Sequence, residues 1–304
     1  MKRFLLTILI LFLMNTSSLA AEDKLKIGVS LHAYYSWVKT IVGNSAEVLP
    51  IIAEGSDPHS YQPRPEDIQK ITGLDAIVIN GMGHDDYIKP MIKAAGNKNL
   101  IVIDPHKGLP LIPSHQKIYD FEKTDKQQKV SYNSHTYIAI NNAVQQIYNI
   151  TDELVKLSPE NSDRFRHNAR SYSKSLRKML AAALQKINAN KSDNVRIATV
   201  HDGYAYLLGE LGIEVAAVIQ PRHGIEPSPR QLQDTIKRIQ RANVNVLFAE
   251  LDYQKKYVDI IFNETGCRIY QLSHVSNGPY SKEKFALDMK KNLDTIVQAV
   301  TSGN

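Results

Sequence analysis

Histidine is the residue whose placement in this chain suggests chemistry. Ten are present among 304 residues. Seven of them follow apolar runs of strand length: His32 after 25–31, His59 after 46–53, His84 after 76–80, His106 after 100–103, His201 after 195–200, His223 after 214–219 and His274 after 268–272. In open α/β sheets the carboxyl ends of strands line the crevice where ligands bind. Neutral imidazole nitrogens suit Zn²⁺, Cu²⁺ and Ni²⁺ better than Ca²⁺ or Mg²⁺. No two histidines stand three or four apart, so a helical zincin motif is absent. A metal site would have to be assembled from distant loops, with one or two ligands per lobe. A single histidine is more often a surface or hydrogen-bonded residue than a ligand; the set carries the inference.

The elements that must position these side chains alternate. Between the strand-like runs lie helix-period segments at 34–42, 65–72, 87–95, 204–211, 228–242 and 255–265. Such alternation argues for parallel sheets covered on both faces. Pro65-Glu66-Asp67 and Ser228-Pro229 carry helix-start chemistry. The middle of the chain breaks the rhythm: 109–132 reads as a long polar surface loop, and 135–157 and 159–187 read as two helices with no strand between them. The second has apolar or ring positions at Phe165, Tyr172, Leu176, Met179, Leu180 and Leu184. At ~1.5 Å per residue it is the length of a whole domain and reads as a rigid connector. The expected fold class is α/β: two lobes, each with a mostly parallel sheet flanked by helices, joined by one long connector helix. The expected divisions are a signal peptide at 1–20, an N-terminal metal-binding lobe at 21–157, the connector at 158–190 and a C-terminal metal-binding lobe at 191–304.

The first residues read as an export signal. Lys2 and Arg3 give a positive start, 4–14 is apolar, and Ser18-Leu19-Ala20 offers a small-x-small cleavage pattern. The apolar run is about a dozen residues, short of the ~20 that span a bilayer. No cysteine follows it, so a soluble periplasmic protein without a lipid anchor is expected. The 37 basic residues exceed the 31 acidic ones by 6, and by 4 without Lys2 and Arg3. That excess lies along helical stretches such as 174–178 and 282–291. It reads as solvated helix faces rather than a nucleic-acid footprint. Cys267 is the single cysteine, which excludes an intramolecular disulfide and suits a buried small hydrophobe.

The motifs resemble the cluster A-I solute-binding proteins of zinc and manganese ABC importers, over nearly the whole mature chain. The segment Gly55-Ser56-Asp57-Pro58-His59-Ser60-Tyr61-Gln62-Pro63 is similar to that family's first metal loop, with His59 as ligand. Asn80-Gly81-Met82-Gly83 resembles its strand-end turn. His135, in Asn133-Ser134-His135-Thr136-Tyr137, matches the second ligand, although the family usually has Asp-Pro before it. His201-Asp202-Gly203-Tyr204 matches the third, and Glu226-Pro227-Ser228 and Phe248-Ala249-Glu250 match two further segments. The resemblance implies two α/β lobes on a backbone helix, a bound cation, an ABC membrane permease as partner, and no enzymatic activity. Histidine at the third position is the zinc pattern, whereas manganese binders tend to carry a carboxylate there. Zinc is therefore the expected cargo, with manganese or iron as the alternative. The loop before the second ligand holds only His115, giving little support for a metal-collecting role. A monomer is the expected state.

The fourth position departs from the pattern. Where the family supplies an aspartate after the last strand, this chain reads Leu272-Ser273-His274-Val275. Three completions compete: His274, a water, or Asp252 or Glu250 reaching across. The expected metal set is His59, His135, His201 and His274. Asp202 and Glu250 are candidates to orient imidazoles and offset the ion's charge. Imidazoles must be deprotonated to bind, so affinity should fall at low pH. Two rivals come from other classes. One is an exported zinc hydrolase with Glu250 or Asp202 as general base. The other is a binder of a chelated metal, with Tyr34, Tyr35, Trp37 and Arg222 lining a larger pocket.

Overall fold

The seven apolar runs that precede histidines, and an eighth at 244–249, become eight short strands, and all of their pairings are parallel. In a computed structural model, described for residues 24–302 except 57, 59–60, 115–131, 191, 193, 220–227, 252–253 and 277, the strands form two four-stranded sheets. The first contains β1 (Leu25–Val29), β2 (Ala46–Pro50), β3 (Ala76–Val78) and β4 (Ile101–Ile103), in the order β2-β1-β3-β4. The second contains β5 (Ile197–Thr199), β6 (Val215–Val218), β7 (Val246–Glu250) and β8 (Arg268–Leu272), in the order β6-β5-β7-β8. The two orders are the same. In each, the chain steps to one side of the first strand and then crosses to the other. A crevice therefore opens between β1 and β3, and another between β5 and β7.

Helices cover both faces, as parallel sheets require. The N-terminal lobe has α1 (His32–Val42), α2 (Pro65–Thr72) and α3 (Ile88–Ala95); then come α4 (Ile140–Leu157) and α5 (Ser162–Asn190). The C-terminal lobe has α6 (Ala205–Glu210), α7 (Pro229–Arg241), α8 (Lys255–Thr265) and α9 (Lys284–Thr301). Local chemistry explains the starts. Pro229 follows Ser228, whose Oγ accepts from Gln231 N while Gln231 Oε1 accepts from Ser228 N, a reciprocal cap of two otherwise orphaned donors. At α2, Pro65 takes the first turn and Asp67 Oδ2 accepts from Arg64 N at 3.2 Å.

α5 is the 29-residue connector. Its buried positions Phe165, Ala169, Ser173, Leu176, Leu180, Ala183 and Ile187 recur every three or four residues, the stripe a helix buries on one side. They join a core that runs through both lobes, from Ile27 and Trp37 through Ile147 and Leu176 to Phe248 and Ile296. The outer sheet faces have separate cores, around Ile51, Ile77 and Met91 in one lobe and Val200, Leu247 and Ile261 in the other. Truncating Leu176 to Ala would open a cavity costing roughly 2–5 kcal/mol. Because one core is continuous across the lobes, a large hinge opening would expose it.

The region before α4 differs from the expected unbroken helix over 135–157. Residues Thr136–Ile138 form a single 3-10 turn, and Ala139 is extended (φ −93°, ψ 139°). His135 thus stands as the residue before a 3-10 turn ahead of the helix, its carbonyl accepting from Ile138 N at 3.1 Å. After β8 the chain returns to the N-terminal lobe. His32 Nε2 donates to Gly278 O at 2.9 Å, the His32 and Tyr280 rings stack at 3.8 Å, and Ser36 Oγ donates to Ser281 O. Phe285 closes edge-on against Trp37. The expected polar loop at 109–132 and the expected export signal at 1–20 fall largely or wholly outside the described residues.

Candidate metal centre

Both C-terminal-lobe imidazoles are delivered by strand ends. β5 runs out through Val200 into His201, which keeps extended backbone angles (φ −125°, ψ 151°) before a 3-10 turn at Asp202–Tyr204. Within that turn, Gly203 lies directly beneath the rings. A Cβ there would stand 2.5 Å from His274 Nε2 and 3.0 Å from His201 Cδ2, so only glycine lets both rings approach the backbone. β8 ends at Leu272, whose carbonyl accepts from Tyr204 Oη at 2.8 Å. The next residue, Ser273, turns its hydroxyl to Asp288 at 2.9 Å and exchanges two hydrogen bonds with the Asn292 amide. Those bonds fix the corner from which His274 projects. Val275 takes φ +57°, an uncommon conformation for a β-branched residue. Tyr204 packs edge-on to the His274 ring at 4.8 Å.

The N-terminal-lobe imidazole meets them from the opposite side. His135 Nε2 lies 3.2 Å from His201 Nε2. Two nitrogens on one tetrahedral zinc, each ~2.0–2.1 Å from it, stand about 3.3 Å apart. Ligating atoms of His135, His201 and His274 all lie within 4.8 Å of one another, and all three residues are buried. Asn133 Oδ1 accepts from the backbone N–H of His135 at 2.9 Å and also lies 2.9 Å from its Nδ1. His84 packs edge-on to His135 with centroids 4.9 Å apart, and its Nε2 is 2.9 Å from Tyr137 Oη. Asn80, at the end of β3, donates from Nδ2 to Ser134 O at 3.0 Å. The turn after it is held by Asp85, whose carboxylate accepts from Asn80 N and Gly81 N; burial pushes the Asp85 carboxyl above the usual range. On the other flank Glu250, closing β7, brings Oε1 to 3.6 Å from His274 Nε2. That is too long for a hydrogen bond, yet it sets a carboxylate beside the three rings.

Residues 27–299 match the family model described as zinc-uptake complex component A, periplasmic. The chain belongs to this family. Among curated relatives it is 24% identical to the high-affinity zinc uptake system protein ZnuA of Bacillus subtilis over 279 residues, 90% of this chain and 87% of that protein. It is 22% identical to the zinc-binding protein AdcA of Streptococcus pyogenes over 298 residues. That alignment takes in 93% of this chain, which spans only 58% of AdcA. Among solved structures, the SBP FpvC of Pseudomonas aeruginosa in complex with Ni²⁺ superposes with a TM-score of 0.82 at 42% identity, covering 92% of this chain and 99% of FpvC. FpvC has also been solved with Mn²⁺.

For a member of the zinc-uptake component A family, the strand-end histidines divide into two groups. His201 and His274 enter the cluster together with His135. His32 is taken up by Gly278 and Tyr280, and His106 by Asp104 and Thr136. His59, His223 and Asp252 lie outside the described residues. Tyr34 and Trp37, offered as lining for a chelate pocket, are fully buried core residues. Cys267 is buried, and burial pushes its thiol up to about 12, as expected for an inert small hydrophobe. Asn133 and the steric role of Gly203 escaped the sequence reading. Each carried a signal, Gly203 standing two residues after a candidate ligand and Asn133 two residues before one, where the resembled motif has an aspartate.

Proposed function

We propose that this protein captures one divalent transition-metal ion between its lobes, zinc by preference, and delivers it to the membrane permease of an ABC importer. The ligands in this proposal are His135, His201 and His274, with His59, which lies outside the described residues, added on its motif resemblance alone. The observation carrying it is the meeting of three buried imidazoles from opposite sides of the crevice within 4.8 Å. An all-nitrogen donor set favours zinc over manganese, and the zinc names of ZnuA and AdcA agree. The neutral rings leave the ion's +2 charge to carboxylates outside the set, and Glu250 and Asp202 are the buried ones nearby. Residues 21–157 and 191–304 are taken as the two metal-binding lobes, 158–190 as the connector, and 1–20 as an export leader. The sequence carries no HExxH motif and no nucleophile elbow, and the protein is read as a monomeric carrier.

A second cargo has specific support, because FpvC, at 42% identity, is solved with Ni²⁺ and with Mn²⁺. Competitive titration of the metal-free protein with Zn²⁺, Ni²⁺ and Mn²⁺ at pH 7.5 tests both. One equivalent of zinc per chain, displaced poorly by manganese, is the expected outcome. Tighter manganese than zinc binding would sink the preference. The absence of stoichiometric binding of any of the three would sink the function.

A further inference from the structure

We propose that Asn133 is a positioning residue that locks His135 in the tautomer able to ligate through Nε2 and, with the same side chain, ties the His201 loop of the opposite lobe to it. The proposal rests on the metal-capture function given for this cluster. Two backbone groups fix the orientation of the Asn133 amide without reference to any imidazole. The backbone N–H of His135 can only donate, and it lies 2.9 Å from Oδ1. The backbone carbonyl of Asp202 can only accept, and it lies 2.6 Å from Nδ2. Oδ1 is therefore the carbonyl end and Nδ2 the amino end. His135 Nδ1 lies 2.9 Å from that same Oδ1, so Nδ1 carries the hydrogen. In a neutral imidazole this leaves the lone pair on Nε2, the atom 3.2 Å from His201 Nε2. The other tautomer would set a lone pair against Oδ1 and turn an N–H toward His201.

The main chain of Asn133 is engaged too. Its N–H donates to Ile112 O at 2.8 Å, and its carbonyl accepts at 3.0 Å from Tyr206 Oη on α6. Tyr206 Oη in turn accepts from Ile112 N at 3.0 Å. Asn133 is 4% exposed. Its polar groups are thus shared between the ligand of one lobe and two residues, Asp202 and Tyr206, that flank the ligand of the other. Few side chains could replace it. Aspartate could accept from His135 but could not donate to the Asp202 carbonyl, and serine is too short to reach both.

The test uses the full ¹⁵N-labelled chain without metal. Long-range ¹H–¹⁵N correlation of the His135 ring should show a protonated Nδ1 and an unprotonated Nε2. One Asn133 Nδ2 proton should exchange slowly with solvent. In N133D the ring pattern should persist. In N133A the ring should mix tautomers, and zinc affinity should fall roughly 10–100-fold, as for other groups that orient a ligating histidine. A wild-type ring protonated at Nε2 overturns the lock. So does an N133A protein with unaltered ring pattern and zinc affinity. If N133A does not fold, the wild-type spectrum and N133D still decide the matter. H135A separates the two ideas: unchanged zinc binding there would overturn the metal-capture function, whereas the tautomer is decided by the wild-type spectrum alone.

Discussion

The crevice edges of the two sheets are built to the same strand order and use their histidines in opposite ways. In the C-terminal lobe, β5 and β8 release His201 and His274 directly into the cluster. In the N-terminal lobe, His32 and His106 also follow strands, yet each is claimed by a neighbour before it can face the crevice. That lobe's contribution among the described residues comes from His135, just before the 3-10 turn that precedes α4. The contrast shows that a strand end presents a side chain to the crevice without determining its use. The nearest acceptor determines that. Gly278 and Asp104 hold His32 and His106 away, whereas Asn133 binds only one nitrogen of His135 and leaves the other facing the opposite lobe.

The largest effects should follow that division. Zinc affinity of H201A or H135A should drop about 100-fold or more, because structural zinc sites share some 10–16 kcal/mol among their ligands. H32F should stay within a few-fold of wild type. Isothermal titration against a competing chelator measures all three. Equal losses in H32F and H201A would erase the distinction between ligand and buttress. Next comes G203A. A methyl 2.5 Å from His274 Nε2 and 3.0 Å from His201 Cδ2 must push both rings at once. Zinc affinity should fall by ~10–100-fold, as when a ligating ring is mis-oriented, while overpacking lowers stability by about 1–3 kcal/mol. A G203A protein that binds like wild type would mean that the rings need not pack on this turn.

The sheets and the connector were legible because each rests on a periodic signal. The strand runs recur with apolar residues between turns, and α5 repeats its buried positions every three or four residues. Parts of the site were legible too, since His201 and His274 stand at strand ends. His135 was not readable that way; it emerged from motif resemblance, because the extended Ala139 that detaches it from α4 has no signature in residue type. Asn133, His84 and Glu210 act through contacts 53 to 73 residues away in sequence. No local pattern specifies such pairings. The fate of His32 was hidden for the same reason, since Gly278 is 246 residues distant.

His32 itself offers the next test, on stability rather than binding. Burial lowers its imidazole from 6.5 to about 4, aided by nearby Lys284 and opposed by the Gly278 carbonyl, Glu54 and Asp288. Between those values the unfolded chain takes up a proton that the folded chain refuses. Stability should therefore decline as pH falls from 6.5 to 4 and lose nothing further to this residue below 4. With a tenfold change in proton affinity equivalent to ~1.36 kcal/mol, and local opening of the 278–285 segment limiting the loss, the decline should come to about 2 kcal/mol. Denaturant unfolding of wild type and H32F at pH 7, 5.5 and 4 reads it. Parallel pH profiles for the two proteins would remove His32 from the account.

The smallest effect concerns a contact between the lobes that uses no histidine. α4 begins at Ile140 without a capping side chain of its own. Glu210, at the end of α6 in the other lobe, fills the role: its carboxylate accepts from Ile140 N at 2.8 Å and from Asn141 N at 2.6 Å. A carboxylate at a helix N-terminus satisfies orphaned donors and meets the positive end of the dipole. Burial pushes the Glu210 carboxyl up, against the pull of those two N–H groups, so desolvation offsets much of the gain. E210A should therefore cost only about 1–2 kcal/mol of unfolding free energy. E210Q should lose less, because its amide oxygen still accepts one bond. Neither should change zinc affinity by more than a few-fold, since Glu210 holds the helix after His135 and not the ring. A large loss of zinc affinity in E210A, with the fold intact, would mean that the seating of α4 against the C-terminal lobe, and not Asn133 alone, sets the spacing of the imidazoles.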